Sequence, residues 1–195
     1  MKNNTVVYVE GIPASGKTTI INRLLGKFNR LIDIVPEYVD SREGKRAEIT
    51  HDPNYFIKND EAKWQLSQES NKKFVFVDRG HLSTVIYNLV EVRIKKNIDR
   101  LKILDWYFDS ILGKNRLPSY YILLQADPLI SLKRREKFFV SHNIWDYQES
   151  LEFANDYYIK FLESYETTVP KLIIQANKLS LNQIEDKIVE HFDLK

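Results

Sequence analysis

Short apolar runs alternate along the chain with longer segments that show helical periodicity. Each run is rich in aliphatic and aromatic residues and lacks polar alternation, which is typical of strands buried on both faces. Because strands that alternate with helices form parallel sheets covered on both sides, the pattern predicts a three-layer α/β fold around a five-stranded parallel sheet. The five predicted strands are Val6–Val9, Leu31–Val35, Phe74–Val77, Tyr120–Leu124 and Leu172–Ile174.

Apolar residues at helical spacing predict the helices that follow these strands. The clearest faces are Ile20, Ile21, Leu24, Leu25 and Phe28; then Ile98, Leu101, Leu104, Phe108, Ile111 and Leu112; then Leu151, Ala154, Tyr158, Phe161, Leu162 and Tyr165. The last helix begins near Ser180, whose spacing to Gln183 matches a capping box. No repeat, low-complexity tract or linker interrupts the sequence, so we expect a single domain over residues 1–195.

Composition narrows the function classes. The chain has 195 residues, of which 43% are hydrophobic, a net charge of +2 and no cysteine. A chain without cysteine has no disulfide, thiolate nucleophile or cysteine-ligated zinc. The net charge is too small to indicate nucleic acid as an obligate partner, and no apolar stretch suits a signal peptide or a membrane span. We therefore expect a cytoplasmic protein without a nucleic acid or membrane partner, and a homodimer is compatible with these features.

The segment GIPASGKTT lies between the first predicted strand and the first predicted helix. It fits the pattern G-x-x-x-x-G-K-[ST], in which glycines allow a tight backbone path whose N–H groups point at phosphate oxygens. Lys17 supplies a charge to the outer phosphates, and the Thr18 hydroxyl can coordinate Mg²⁺. We expect the phosphates of ATP to bind along the whole segment, which comprises Gly11, Ile12, Pro13, Ala14, Ser15, Gly16, Lys17, Thr18 and Thr19.

Polar side chains follow two other predicted strands where each strand ends. Glu37 comes after strand two, and Asp78 and Arg79 come directly after strand three. Because ligands bind beyond the carboxyl ends of strands in open α/β sheets, we expect these residues beside the phosphate loop. Asp78 can hold Mg²⁺, Arg79 can grip the phosphate or sugar of an acceptor, and Glu37 can act as general base or bind the acceptor. The alternatives are a helix cap, a surface salt bridge and a solvated loop carboxylate, respectively.

A basic segment follows the fourth predicted strand. Four cations lie within five positions of it: Lys133, Arg134, Arg135 and Lys137. Such a cluster either covers a solvated helix face or closes over phosphates and neutralises charge in the transition state. Its place after a strand end favours a lid at about residues 132–146, with Arg134 as the main contact to the transferring group. The four histidines show no paired metal-ligand spacing and receive no role.

The distribution of these residues resembles the thymidylate kinase branch of the P-loop nucleoside and nucleotide kinases. That family carries a D-R-x-x-x-S pattern after its third strand, an aromatic residue four positions later, and a strand that ends in Asp-Pro before a helix with a lid arginine. The matching residues are Asp78, Arg79, Ser83, Tyr87, Asp127, Pro128 and Arg134. The resemblance runs from Val6 to roughly Val189.

The resemblance implies a kinase with the P-loop NTPase fold that uses ATP and Mg²⁺. It implies that Arg134 contacts the transferring phosphoryl group and that Ser83 and Tyr87 bind the acceptor. It also implies that Asn177 and Lys178, which come soon after the fifth predicted strand, flank the adenine of the donor.

The sequence leaves the acceptor open between three classes. Thymidylate kinases place an arginine near the end of strand two to bind the acceptor's phosphate, whereas Tyr38 follows Glu37 here, so Arg42 or Arg46 would have to take that role. Glu37 also resembles the glutamate that deoxynucleoside kinases use as base for a 5′-hydroxyl. The acceptor is therefore a nucleoside monophosphate, a nucleoside, or another small hydroxyl compound such as a sugar, vitamin or antibiotic. We expect Glu37 and Tyr38 to bind it.

A GTP-dependent switch or a partner-coupled ATPase is the competing functional class. A GTPase needs D-x-x-G after a strand and N-K-x-D to recognise guanine. Here His81 occupies the glycine position of the first pattern, and Ser180 occupies the aspartate position of the second. The sequence therefore favours a kinase over a switch.

Overall fold

A computed structural model describes residues 4–50, 52–135 and 143–195 of the chain. Five strands form one sheet in the order β2-β3-β1-β4-β5, and every neighbouring pair is parallel. The strands are β1 (Thr5–Glu10), β2 (Ile32–Val35), β3 (Phe74–Asp78), β4 (Tyr120–Gln125) and β5 (Lys171–Gln175). The five predicted strands and their parallel arrangement are thus confirmed, with ends that differ by one residue at most.

Helices cover both faces of this sheet. They are α1 (Lys17–Phe28), α2 (Ser41–Thr50), α3 (Pro53–Glu69), α4 (His81–Lys95), α5 (Ile103–Trp106), α6 (Pro128–Arg135), α7 (Gln148–Ser164) and α8 (Leu181–Phe192). Two 3₁₀ turns at Ile98–Lys102 and Ile144–Asp146 and a π-helical segment at Tyr107–Leu112 complete the described helical structure. The predicted three-layer α/β fold is therefore confirmed.

Alternate residues of the strands face opposite helical layers, because the side-chain period of a strand is two. Val7 and Val9 of β1 pack toward α1 and α8, whereas Val6 and Tyr8 pack toward α4 and α7. All four side chains are buried. Burial on both faces explains why the runs are apolar without alternation.

The predicted helical face from Ile98 to Leu112 is wrong in part. Ile98 is 72% exposed and Phe108 is 40% exposed, whereas Ile103, Tyr107 and Ile111 are buried. The chain passes here from a 3₁₀ turn through one α-helical turn into a π-helical segment. Because each of these helices has a different number of residues per turn, one period of 3.6 residues cannot locate the buried side.

The ends of the last two helices give one confirmation and one correction. Ser180 Oγ accepts from the Gln183 N–H at 3.3 Å and the Ser180 N–H donates to Gln183 Oε1 at 2.9 Å, so the predicted capping box is confirmed. Tyr165 lies just beyond the end of α7 and is 50% exposed, so its assignment to the buried face is wrong. No helix within the described ranges has the length and apolar character needed to cross a membrane.

Candidate active site

The carboxyl ends of β1 and β3 hold the two sequence motifs side by side. In the parallel register Val9 pairs with Asp78, and the Arg79 N–H donates to the Val9 carbonyl oxygen at 3.1 Å. The phosphate loop therefore begins directly beside Arg79.

Two glycines give the phosphate loop its path. Gly11 has a φ of 139° and Gly16 a φ of 102°, values that L side chains rarely adopt. A Cβ atom at Gly11 would also lie 2.4 Å from the Leu124 carbonyl oxygen. Since α1 begins at Lys17, its N-terminal N–H groups and the positive end of its dipole face the loop. The geometry of the loop therefore suits the binding of an anion.

The Lys17 ammonium group folds back onto this loop. Its Nζ donates to the carbonyl oxygens of Gly11 and Ile12 at 2.8 Å each and to Ser15 Oγ at 3.2 Å. Burial, followed by the charge of Arg79, lowers the pKa of Lys17 to about 7. The negative charge of a bound polyphosphate would stabilise this buried ammonium group.

Thr18 and Asp78 form a pair of oxygen ligands beside the loop. Thr18 Oγ1 donates to Asp78 Oδ2 at 2.5 Å, and the buried Asp78 Oδ1 has no hydrogen-bond partner among the described residues. Mg²⁺ prefers oxygen ligands and usually takes only one or two protein ligands alongside phosphates and water. The pair fits such an ion, although nowhere in the described ranges do three His, Cys, Asp or Glu side chains form a group that could hold a metal ion by themselves. The helix-cap alternative for Asp78 is wrong, because Gly80 occupies the N-cap of α4.

Glu37 and Arg79 form an ion pair next to the phosphate loop. Arg79 Nε lies 2.6 Å from Glu37 Oε1, and Arg79 Nη1 donates to the Gly11 carbonyl oxygen at 3.3 Å. Burial alone would raise the pKa of Glu37, but Arg79, Lys17 and Lys63 outweigh burial and lower the pKa below its ordinary value. Glu37 is therefore an ionised carboxylate at neutral pH, held by a cation that also contacts the loop.

Residues of α3 support this ion pair, and no motif in the sequence marks them. Asn59 Nδ2 donates to the Glu37 carbonyl oxygen at 2.9 Å, and Lys63 Nζ donates to the Arg79 carbonyl oxygen at 2.9 Å. Both side chains are buried. Polar residues on a helix usually mark its solvated face, which is why the sequence pattern alone does not reveal them.

Glu10 is a third buried residue without a motif. Its carboxylate accepts from the Gly80 N–H at 2.8 Å and from Ser83 Oγ at 2.5 Å. Ser83 Oγ in turn lies 2.8 Å from the Tyr158 hydroxyl and 3.4 Å from Arg79 Nη1. Ser83, predicted to bind the acceptor, thus belongs to an internal network that supports Arg79. The available signal was a lone charge at the end of an apolar strand, directly before the phosphate loop.

A cavity of about 360 Å³ lies between the phosphate loop, α3 and α4. Its wall includes these predicted site residues: Pro13, Ala14, Gly16, Lys17, Thr18, Thr19, Glu37, Tyr38, Arg79, Ser83 and Tyr87. Phe56, Tyr87 and Trp145 form an aromatic part of the wall, with ring centroids 5.7 Å apart for the first two and 5.9 Å apart for the last two. The cavity therefore combines a phosphate site with an aromatic region.

The cations near this cavity differ from those expected. Arg42 and Arg46 are exposed on α2, and neither lines the cavity, so the acceptor-phosphate role considered for them is not supported. Lys63 and Arg135 line it instead. Arg134, at the end of α6, donates from Nη1 to the Ala14 carbonyl oxygen at 3.0 Å and so contacts the phosphate loop.

Part of the predicted lid at about residues 132–146 lies outside the described residues. Lys137 belongs to that part. Arg135, close to the start of the predicted lid, contacts Asp146 at its end: Arg135 Nη2 lies 3.1 Å from Asp146 Oδ1. This ion pair joins α6 to the 3₁₀ turn that carries Trp145.

The loop after β5 lies near the phosphate loop. Leu181, at the start of α8, is 4.0 Å from the position of a Cβ atom at Gly16. Lys178 is exposed and Asn177 is half-buried, and neither lines the cavity. Asn177 and Lys178 therefore lie outside the cavity that contains Glu37 and Arg79.

Comparisons with known proteins agree with the fold described above. No protein-family model and no curated protein matches the chain. The solved structure of deoxyadenosine kinase from M. mycoides with bound dATP has a TM-score of 0.76 at 16% identity, over 97% of this chain and 100% of that chain. Thymidylate kinase from Candida albicans has a TM-score of 0.69 at 16% identity, over 98% of this chain and 92% of that chain. The chain therefore has the P-loop fold that deoxyadenosine kinase and thymidylate kinase share.

Proposed function

We propose that this protein is an ATP- and Mg²⁺-dependent kinase that phosphorylates a hydroxyl group of a nucleoside. The observation that carries the proposal is the ion pair of Glu37 and Arg79, whose Oε1 and Nε atoms lie 2.6 Å apart in the wall of the cavity next to the phosphate loop. Phosphoryl transfer needs positive charge around the migrating group and a group that orients or deprotonates the acceptor. This cavity has both.

The phosphate loop would bind the donor. Lys17 would release the carbonyl oxygens of the loop and bind the outer phosphates of ATP instead. The backbone amides of the loop would bind the remaining phosphate oxygens. Arg134 contacts the loop at Ala14, which supports a role in neutralising charge on the transferring group. Asn177 and Lys178 would flank the adenine.

Thr18 and Asp78 would hold the Mg²⁺ ion. When bound, the ion neutralises negative charge on the phosphate oxygens. The unpartnered Asp78 Oδ1 supports this assignment, because a buried carboxylate oxygen without a partner is costly unless a ligand satisfies it.

Glu37 would take the proton of the acceptor hydroxyl. As the hydroxyl oxygen bonds to the γ-phosphorus, the bond from that phosphorus to the bridging oxygen of ADP breaks. The lowered pKa of Glu37 keeps its carboxylate unprotonated and ready to accept at neutral pH. Phe56, Tyr87 and Trp145 favour a planar ring on the acceptor, hence a nucleoside over a sugar.

A nucleoside monophosphate is the second candidate acceptor, because three cations besides Lys17 line the same cavity. Each of them has an acidic partner: Arg79 pairs with Glu37, Arg135 with Asp146, and Lys63 with Asp60. Since these carboxylates offset the positive charge, the cavity favours a neutral acceptor over an ionised phosphate.

The proposal is tested by ADP release from ATP and Mg²⁺ with a panel of nucleosides, nucleoside monophosphates and other hydroxyl compounds. With a nucleoside, Glu37→Gln should lower kcat by about 10²- to 10⁴-fold, because the base is lost. A monophosphate is already ionised and should be far less sensitive. Glu43→Gln, at an exposed position on α2, is the matched control and should leave kcat unchanged.

The panel includes a reaction without acceptor. ADP release at the full rate in that reaction would overturn the kinase proposal and favour a partner-coupled ATPase. An active kinase in which Glu37→Gln has no effect would overturn the role of Glu37 alone.

The acceptor in this proposal is a small molecule, with neither nucleic acid nor a membrane as partner. The small net charge of +2 supports that part of the proposal. A cytoplasmic location follows as an expectation, since ATP and nucleosides are available there.

A further inference from the structure

Asp60 is a buried acid in the wall of the cavity that the proposed mechanism does not use. It lies on α3, one helical turn after Phe56, so both side chains occupy the same face of the helix. Asp60 is 7% exposed, and its Oδ2 has no hydrogen-bond partner among the described residues. Its Oδ1 lies 3.6 Å from Lys63 Nζ.

The protein does not fully satisfy this carboxylate. A buried acceptor without a donor is destabilising, and more so when it is charged. Burial raises the pKa of Asp60, and the nearby Lys63 and Thr84 offset that effect only in part. A donor on a ligand in the cavity would supply the missing hydrogen bond.

The aromatic side of the cavity suggests which ligand group that donor belongs to. Phe56, Tyr87 and Trp145 line the cavity and suit a planar heterocycle. The exocyclic amines of cytosine and adenine donate hydrogen bonds, and Asp or Glu is the usual side-chain acceptor for the cytosine amine. Thymine and uracil present a carbonyl oxygen at that position, which would face the carboxylate as a second acceptor.

We infer that Asp60 selects acceptors whose ring carries an exocyclic amine, namely cytosine or adenine nucleosides, by accepting a hydrogen bond from that amine. The inference rests on the proposed nucleoside kinase function. It adds to that function a specificity-determining residue and a class of substrate.

Deoxycytidine and deoxyuridine form the matched pair of probes, because they differ only at the ring position that carries an amino or a carbonyl group and at the hydrogen on the adjacent N3 atom. With ATP and Mg²⁺, kcat/KM should favour deoxycytidine by about 10- to 100-fold. In Asp60→Asn the side-chain amide can donate to a carbonyl, so the preference should shrink or reverse. Asp99→Asn, whose side chain is 90% exposed, is the control and should keep the wild-type ratio.

Calorimetric binding of the two nucleosides without ATP separates this inference from the kinase function. Tighter binding of deoxycytidine by wild type, lost in Asp60→Asn, supports the role of Asp60 even if no acceptor supports ADP release. Equal binding of both nucleosides by wild type overturns it, and that measurement stands even if Asp60→Asn fails to fold. An unchanged ratio in a folded Asp60→Asn protein also overturns it.

Discussion

Glu10 accepts two hydrogen bonds in a place that water does not reach. The Gly80 N–H and Ser83 Oγ both donate to its carboxylate, and Ser83 also contacts Arg79. Because Arg79 holds Glu37, Glu10 acts on the acceptor site through two other residues. We therefore regard Glu10 as a positioning residue.

Glu10→Gln should weaken both folding and turnover. Glutamine has one acceptor oxygen, and its NH₂ group would face a donor, so the free energy of unfolding should fall by about 1.5 to 3 kcal/mol. Measured well below the melting temperature, kcat/KM should also fall, because Arg79 loses its support. Glu190→Gln, exposed on α8, is the control for the loss of charge. A destabilised variant with unchanged kcat/KM would show that Glu10 has a structural role alone.

The lowered pKa of Lys17 predicts proton uptake on ATP binding. In the free protein this pKa is about 7, so most of the side chain is neutral at pH 8. Bound phosphates raise the pKa, and Lys17 must then take up close to one proton, so affinity should fall as the pH rises above 7. Calorimetry at pH 8 in buffers of different ionisation enthalpy measures this uptake. Lys17→Arg, which stays charged, should show none; equal uptake by both proteins would contradict the prediction.

Motifs predicted some residues of the site and missed others. The motifs contain Lys17, Thr18, Asp78 and Arg79, and the chemistry of these motifs can be inferred from the sequence alone. The structure brings all four residues together. Glu10, Asn59, Asp60 and Lys63 have no such pattern. Their environment depends on which helix packs against which strand end, so composition and spacing do not distinguish them from ordinary polar surface residues.

At the scale of elements, the phosphate loop joins β1 to α1 through two glycines, and different constraints exclude a side chain at each of them. Gly11 is restricted by the Leu124 carbonyl oxygen of β4, whereas a Cβ atom at Gly16 would meet nothing closer than 4.0 Å and is restricted by φ alone. The loop is therefore fitted to the neighbouring strand as well as to phosphate.

Gly11→Ala should displace the loop and impair catalysis. The new Cβ atom would lie 2.4 Å from the Leu124 carbonyl oxygen at a φ of 139°, so the backbone must move. A displacement of this kind should lower kcat/KM by about 100-fold. Gly26→Ala is the matched control: it is exposed in α1 with no atom within 4 Å of the new Cβ, and it should raise the free energy of unfolding by about 0.5 to 1 kcal/mol. Steady-state kinetics and urea unfolding of both variants check the contrast.

Helices and strands were predictable from the sequence where a single hydrophobic period applied along the whole element. The three central strands β1, β3 and β4 have continuous apolar runs because both of their faces are covered. The ends of all five strands were located within one residue. The segment from Ile98 to Leu112 was not, because its backbone changes helix type twice. Tertiary packing fixes such changes, and no sequence period encodes them.

At the scale of the whole molecule, a buried ionic network connects the start of α4 to the chain beyond α7. His81 Nε2 lies 3.0 Å from Glu166 Oε1, which also accepts from the Tyr107 hydroxyl at 2.6 Å. The Tyr121 hydroxyl of β4 lies 2.9 Å from His81 Nε2. Burial lowers the pKa of His81, but Glu166 outweighs burial and raises it; burial raises the pKa of Glu166, but His81 outweighs burial and lowers it.

The pair should make stability depend on pH. The raised pKa of His81 gives stability that is complete below 6.5 and is lost as the pH rises through that raised pKa. The lowered pKa of Glu166 gives stability that is complete above 4.5 and is lost as the pH falls through that lowered pKa. We therefore expect the pair to contribute fully between pH 4.5 and 6.5 and less at pH 9.

Glu166→Gln tests this network. Breaking a buried pair should lower the free energy of unfolding by about 3 to 5 kcal/mol at pH 6, and the loss of stability from pH 6 to pH 9 should become smaller than in wild type. Glu163→Gln, exposed on α7, should behave as wild type. Urea unfolding at the two pH values measures both effects, and identical pH dependence of Glu166→Gln and wild type would contradict the assignment.

The sequence by itself determined the layers of the fold, the five strands and the phosphate loop with its Asp-Arg partner. These features depend on local periodicity and on residues that the backbone geometry requires, so the amino-acid sequence alone is enough to specify them. Only the tertiary structure decided which groups surround each acidic side chain: Arg79 beside Glu37, Ser83 beside Glu10, and an aromatic cavity beside Asp60. The energy of a charge depends on burial and on partners distant in the chain, and both exist only once the chain has folded.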